Sequence, residues 1–233
     1  MRIRLLGAHN TESLDTRMSG LVIDDVLALD AGGLTSGLTL AAQLELKAVL
    51  LTHQHYDHIR DIPALAMNLY LSGKTIPIYT TEPVAAIITN RLFDGDTYPK
   101  FLEHPAENPT IILRLVEPLK AEQIAGYTIL PVPVPHSKPG VGFQVTSPDG
   151  KTLFYTGDTG PGLRDCWQHI SPQLLVTEVT SSNRFKDYME EFGHFTPDLL
   201  REELLVFREL KGYLPPVVTV HMNPGLEDEI RAE

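Results

Sequence analysis

The six residues His53-Gln54-His55-Tyr56-Asp57-His58 place three imidazoles and a carboxylate directly behind the apolar run Ala48-Val49-Leu50-Leu51-Thr52. Four such side chains held together carry more polar atoms than a folded interior leaves without partners, and a divalent cation satisfies them jointly. Imidazole nitrogen and carboxylate oxygen are the donors that zinc takes readily, and manganese or iron accept the same set. On an extended segment, His53 and His55 point to one side. Asp57 and His58 follow where the chain must turn into a helix, so they reach a second point in space. The spacing suits two metal ions side by side.

The run matches the HxHxDH signature of the metallo-β-lactamase superfamily, and further matches follow in the expected chain order. His136 stands after Pro131-Val132-Pro133-Val134-Pro135, Asp158 lies in Tyr155-Thr156-Gly157-Asp158-Thr159, and His221 closes Val217-Val218-Thr219-Val220. Asp30, in Leu29-Asp30-Ala31-Gly32-Gly33, looks like the family's early Asp-Gly turn. The resemblance runs from about Arg2 to His221. It implies an α/β fold, the four-layer αββα metallo-β-lactamase sandwich, and a centre of two divalent metal ions, with zinc expected and manganese or iron as alternatives. One ion would be held by His53, His55 and His136, the other by Asp57, His58 and His221, with Asp158 bridging. Asp57 would also orient the metal-bound hydroxide that serves as nucleophile, so no side-chain nucleophile is needed. No Gly-x-Ser-x-Gly elbow is present.

Two further segments narrow the expected substrate. Thr177-Glu178-Val179-Thr180 and Gly193-His194-Phe195-Thr196 resemble the His-Glu-Ala-Thr and His-Ser-Thr segments of the ribonuclease Z and cyclic-nucleotide phosphodiesterase branch, departing from them at Thr177 and Phe195. The resemblance implies that Glu178 orients His194, and that His194 protonates the departing oxygen or contacts the phosphoryl group. An alkoxide leaves poorly without such help. Ribonuclease Z proteins commonly carry a long tRNA-gripping arm between the residues matching His136 and Asp158. Here residues 137–157 read as a hairpin through Pro148-Asp149-Gly150. The expectation is therefore a dinuclear metal-dependent phosphodiesterase for a small phosphodiester such as a cyclic nucleotide. The alternatives are a thioester or lactone hydrolase, a ribonuclease Z-like endoribonuclease, and a non-enzymatic metal-containing nucleotide-binding module. A thioester would make His194 dispensable, because a thiolate leaves unaided.

The elements that must position these residues alternate along the chain. Apolar runs predict strands at Ile3–Leu6, Leu21–Leu29, Ala48–Thr52, Ile76–Tyr79, Ile111–Leu115, Tyr127–Val134, Val141–Val145, Leu153–Tyr155, Leu174–Glu178 and Val217–His221. Helices are expected at Leu38–Leu44, Ile62–Leu71, Pro83–Asn90 and Pro197–Leu210, with Thr81 or Glu82 and Thr196 as caps before a first-turn proline. In the last helix, Leu200, Leu204, Phe207 and Leu210 recur at helical spacing and form a core stripe. Two stretches read as loops. Phe93–Thr110 could overhang the site, and Asn183–Gly193, with Arg184, Phe185, Tyr188 and Phe192, fits a substrate pocket or a homodimer contact equally well.

Bulk properties bound the rest. The 233 residues, 42% hydrophobic, are read as one metallo-β-lactamase-fold domain spanning 1–233. The chain ends inside a helix-like stretch beginning near Leu226, so either a C-terminally shortened chain or a short family member is expected. The formal net charge of −11 disfavours a long nucleic-acid partner and leaves room for a small anionic substrate drawn to metal. No apolar stretch spans a bilayer, so no membrane partner is expected. The single cysteine, Cys166, excludes an intrachain disulfide, is read as packing beside Trp167, and fits a reducing cytoplasm. Of the three histidines left over, His9 follows the first strand and could approach the cleft, while His104 and His169 are expected at surface or packing positions.

Overall fold

The computed structural model describes all 233 residues, in two compact units. The first comprises Met1–Gly7 with Arg17–Val116, the second Ala8–Thr16 with Glu117–Glu233.

In the first unit, six strands lie side by side in chain order: β1 (Ile3–Gly7), β2 (Gly20–Ile23), β3 (Leu27–Leu29), β4 (Ala48–Leu50), β5 (Ile76–Thr80) and β6 (Ile111–Leu115). The first three are antiparallel and β3 to β6 are parallel. Parallel neighbours need crossover segments, and short helices supply them: α1 (Leu34–Gly37), α2 (Leu40–Leu44), α3 (Tyr56–Ile59), α4 (Ile62–Leu71) and α5 (Glu82–Ile87). The expected strand Leu21–Leu29 is instead a hairpin. Asp24 and Asp25 take φ of 48° and 59°, the positive values that both central residues of a type I′ turn require. The core gathers Val49, Leu51, Ile62, Leu65, Ile76 and Ile78 under the helices. Phe93 and Phe101 are buried in that same core, with Tyr98 packed against it, so the stretch expected to overhang the site spends its aromatics on packing.

The second unit carries β7 (Glu122–Ile124), β8 (Tyr127–Val134), β9 (Gly140–Thr146), β10 (Thr152–Tyr155), β11 (Leu174–Glu178) and β12 (Val217–Val220), in the spatial order β12-β11-β10-β9-β8-β7. Since β9 is antiparallel to both β8 and β10, while β10, β11 and β12 are parallel, the strands β8, β10, β11 and β12 all run one way. Their C-terminal ends share one edge of the sheet. Helices α6 (Arg164–His169), α7 (Lys186–Phe192), α8 (Pro197–Lys211) and α9 (Glu227–Ala232) complete the unit. The stripe of α8 packs as expected, with Leu200 and Phe207 buried and Leu204 and Leu210 partly so. Trp167 lies edge-on to Phe207 at 5.3 Å. Burial pushes the thiol of Cys166 well above its ordinary pKa, as befits a packing residue. Thr81 and Thr196 occupy N-cap positions, but their hydroxyls make no capping bond.

Segment 183–193 forms a 3₁₀ turn (Asn183–Phe185) and then α7 rather than a plain loop. Neither element has a buried residue, and Phe185, Tyr188 and Phe192 are exposed. Helix periodicity is invisible here because, of the apolar residues of α7, only Met189 packs against the core.

Candidate metal centre

In the first unit, the chemistry sits just past the carboxyl ends of β3 and β4, where open parallel sheets bring ligands. His53 and His58 are fully buried, His55 and Asp57 partly. The His53 ring lies 4.7 Å from that of His55 and 4.2 Å from that of His58, and His58 Nε2 is 3.6 Å from Asp57 Oδ2. The extended segment through His55 and the helical turn from Tyr56 give the two directions that the spacing demands. Gly32 makes room for this turn. A Cβ there would stand 1.9 Å from the carbonyl oxygen of Asp57.

Asp30 does more than mark a turn. It is fully buried and holds φ at 56°, a backbone state that non-glycine residues rarely adopt. Its carboxylate lies 2.7 Å from His58 Nδ1, 2.9 Å from the backbone N of Thr52, and 2.9 and 3.1 Å from the Thr52 hydroxyl. Thr52 Oγ1 is in turn 3.0 Å from His53 Nδ1.

In the second unit, the four aligned strand ends lead into His136 (after β8), Asp158 (after β10), Glu178 (the end of β11) and His221 (after β12). His221 Nε2 stands 3.3 Å from Asp158 Oδ2, and His221 takes φ of 63°. The ligand-type atoms of Asp158, Glu178, His194 and His221 all lie within 4.8 Å of one another. His194 reaches this group from the loop between α7 and α8, its ring 4.9 Å from His136 and stacked 5.6 Å from His221. The carbonyl of Gly193, the left-handed C-cap of α7, accepts from His136 Nδ1 at 2.9 Å. Burial holds the His136 pKa below the ordinary histidine value, which favours the neutral ring, the form that binds metal.

Glu178 is completely buried. Oε1 lies 2.8 Å from the Thr159 backbone N and 2.7 Å from His194 Nδ1. Oε2 lies 2.6 Å from the Thr180 hydroxyl and 3.1 Å from the Phe195 backbone N. Four donors use the carboxylate's four lone-pair positions, an arrangement suited to orienting its neighbours. Glu178 and His194 are thus brought into direct contact. Sequence reasoning missed Thr52 and Thr180 and undervalued Asp30. The only signal was their position, one residue before His53, two after Glu178, and at the end of an apolar run.

Of the remaining histidines, His9 runs beside the end of β12, its backbone paired with Met222 next to His221. His9 Nε2 pairs with Glu227 at 3.0 Å, tying the segment after β1 to α9, while His104 and His169 are exposed.

Residues 34–222 match the family described as the beta-lactamase superfamily domain. The chain belongs to the metallo-β-lactamase superfamily. Within it, the chain is 27% identical over 217 residues to a ribonuclease Z of Mycobacterium sp. (strain KMS), covering 80% of this chain and 70% of that one. It is 24% identical over 186 residues to a 3′,5′-cyclic-nucleotide phosphodiesterase of Aliivibrio fischeri, covering 72% and 55%. The structure of unliganded yeast PDE1 superposes with a TM-score of 0.80 at 14% identity, over 95% of this chain and 87% of that one. The chain spans only 33% and 55% of the length of the first curated relatives it matches. The superfamily's α/β fold, with two mixed sheets covered by helices, is the one expected from the HxHxDH run. No helix is long and apolar enough to cross a membrane.

Proposed function

We propose that the chain is a dinuclear metal-dependent phosphodiesterase acting on a small phosphodiester such as a cyclic nucleotide. One ion would be held by His53, His55 and His136, the second by Asp57, His58 and His221, with Asp158 bridging. The donor set fits: it is all imidazole and carboxylate, as zinc, manganese or iron accept, and the one thiol, Cys166, packs elsewhere against Trp167. Two such ions supply Lewis-acid stabilisation of phosphoryl charge and a water acidic enough to ionise near pH 7.

The chain's own residues do the rest. Asp57 orients the attacking water. His194, tethered through Nδ1 to Glu178 at 2.7 Å, delivers a proton from Nε2 to the departing oxygen, and the Glu178 carboxylate offsets the imidazolium charge. That couple is the observation that carries the reading, because an alkoxide needs a proton at departure and a thiolate does not. Size is argued from residues 137–157, most of which form the β9–β10 hairpin with no inserted arm, and from the net charge of −11.

The test compares leaving groups. With zinc-loaded protein, His194→Ala lowers kcat on a cyclic nucleotide by roughly 10²–10⁴-fold, and lowers it much less on a p-nitrophenyl ester, whose phenolate departs unaided. Equal losses on both, or thioester cleavage with no phosphodiester cleavage, would overturn the proposal.

A further inference from the structure

We propose that Thr52 and Thr180 are positioning residues, each a one-way hydroxyl relay that locks one metal-binding imidazole into the tautomer with its Nε2 lone pair toward the metal. The inference rests on the dinuclear reading above and concerns how its ligands are aimed. A threonine hydroxyl has a single proton to give, and an ionised carboxylate can only accept. Thr180 Oγ1 lies 2.6 Å from Glu178 Oε2 and 2.8 Å from His221 Nδ1, while its third neighbour, His194 Nδ1 at 3.3 Å, gives its proton to Glu178 Oε1 at 2.7 Å. Its proton therefore goes to Glu178, and its lone pair must be met by a proton on His221 Nδ1. That assignment leaves Nε2 of His221 as the electron-pair donor, and Nε2 is the atom 3.3 Å from Asp158 Oδ2.

The first unit repeats the device. The Thr52 hydroxyl lies 2.9 and 3.1 Å from the two oxygens of Asp30 and 3.0 Å from His53 Nδ1, so its proton goes to Asp30 and His53 donates to it. Each unit thus has one buried carboxylate that holds one imidazole directly (His58 on Asp30, His194 on Glu178) and a second through threonine (His53 and His221). In the second unit, the same carboxylate then serves both the proposed proton donor His194 and the ligand His221. Outer partners of this kind fix ring orientation and tautomer, and losing one typically weakens metal binding about 10–100-fold.

The test begins with the zinc-loaded wild type. Long-range ¹H–¹⁵N spectra of the histidine rings are expected to show His53 and His221 protonated at Nδ1, and an Nε2–H pattern for either overturns the relay. Thr180→Val and Thr52→Val keep the shape and lose the hydroxyl, so zinc affinity, read by competition with a chromophoric chelator, falls by about 10–100-fold. Thr180→Ser and Thr52→Ser restore it. Wild-type affinity in a folded valine variant, or serine variants as weak as the valine ones, contradicts the proposal. These readouts need no substrate, so a wild type that binds zinc with the expected tautomers but cleaves no phosphodiester would sink the hydrolase assignment alone.

Discussion

Replacing Glu178 by glutamine keeps the shape of the side chain and changes the sign of one end. The four donors on the carboxylate are the Thr159 and Phe195 backbone N–H groups, the Thr180 hydroxyl and His194 Nδ1. If the new NH₂ takes the Oε1 position, His194 can shift its proton to the other nitrogen, but the Thr159 N–H cannot turn away. If it takes the Oε2 position, Thr180 can rotate its hydroxyl, but the Phe195 N–H cannot. Either orientation leaves one buried backbone donor facing another donor and converts the surviving charged bonds to neutral ones. A hydrogen bond to a charged group contributes about 1.5–3 kcal/mol and an orphaned buried donor costs about 1–3 kcal/mol, so the expected loss is roughly 2–5 kcal/mol. Urea denaturation of metal-stripped wild type and Glu178→Gln measures it without the added stability that bound metal gives the folded state. A loss below about 0.5 kcal/mol, the level of an ordinary surface substitution, would refute the claim that this carboxylate is a saturated hub.

Three further outcomes follow from particular contacts. Gly32→Ala places a Cβ 1.9 Å from the Asp57 carbonyl oxygen, so the motif turn must shift; equilibrium dialysis should show zinc lost from the variant, and two tightly bound ions would contradict this. Trp167→Ala empties a fully buried site between Phe154 and Phe207 and should cost about 3–5 kcal/mol by denaturant unfolding. In the β9–β10 turn, the Ser147 hydroxyl holds the carboxyl of Asp149 down to about 2. That depressed pKa favours the folded form above pH 3.8 and is lost as the pH falls toward 2. In Ser147→Ala, the Asp149 titration followed by NMR should move up toward 3.8, and an unchanged midpoint would assign the shift to Lys151.

What the sequence reveals tracks how local the determining contacts are. The HxHxDH run is legible because its spacing alone sets both directions of its side chains. The same holds for β4 and β5 and for the α8 stripe, whose apolar periodicity faces a core. The hairpin at Asp24-Asp25 hides inside a continuous apolar run because two polar residues at positive φ carry the reversal. Strand β7 escapes notice since, of Glu122-Gln123-Ile124, only Ile124 is buried. Helix α6 is missed because its start is held by Glu203, about forty residues on, which accepts from the Gly162 and Leu163 N–H groups and from Trp167 Nε1. Thr52 and Thr180 are silent, and Asp30 reads only as a turn, for a similar reason: Asp30 meets His58 across 28 positions and Thr52 across 22, and Thr180 meets His221 across 41. Ligand types can be read from a motif, whereas the groups that aim them are joined only by the fold.

The most direct test of the central claim is steady-state hydrolysis of 3′,5′-cyclic AMP by metal-stripped protein titrated with zinc, with Asp57→Ala alongside. The account predicts turnover that rises with zinc, saturates at two ions per chain and falls at least about 10²-fold in the variant, as expected when a group acting on the reacting water is removed. Two ions bound per chain with no phosphodiester cleaved would contradict it.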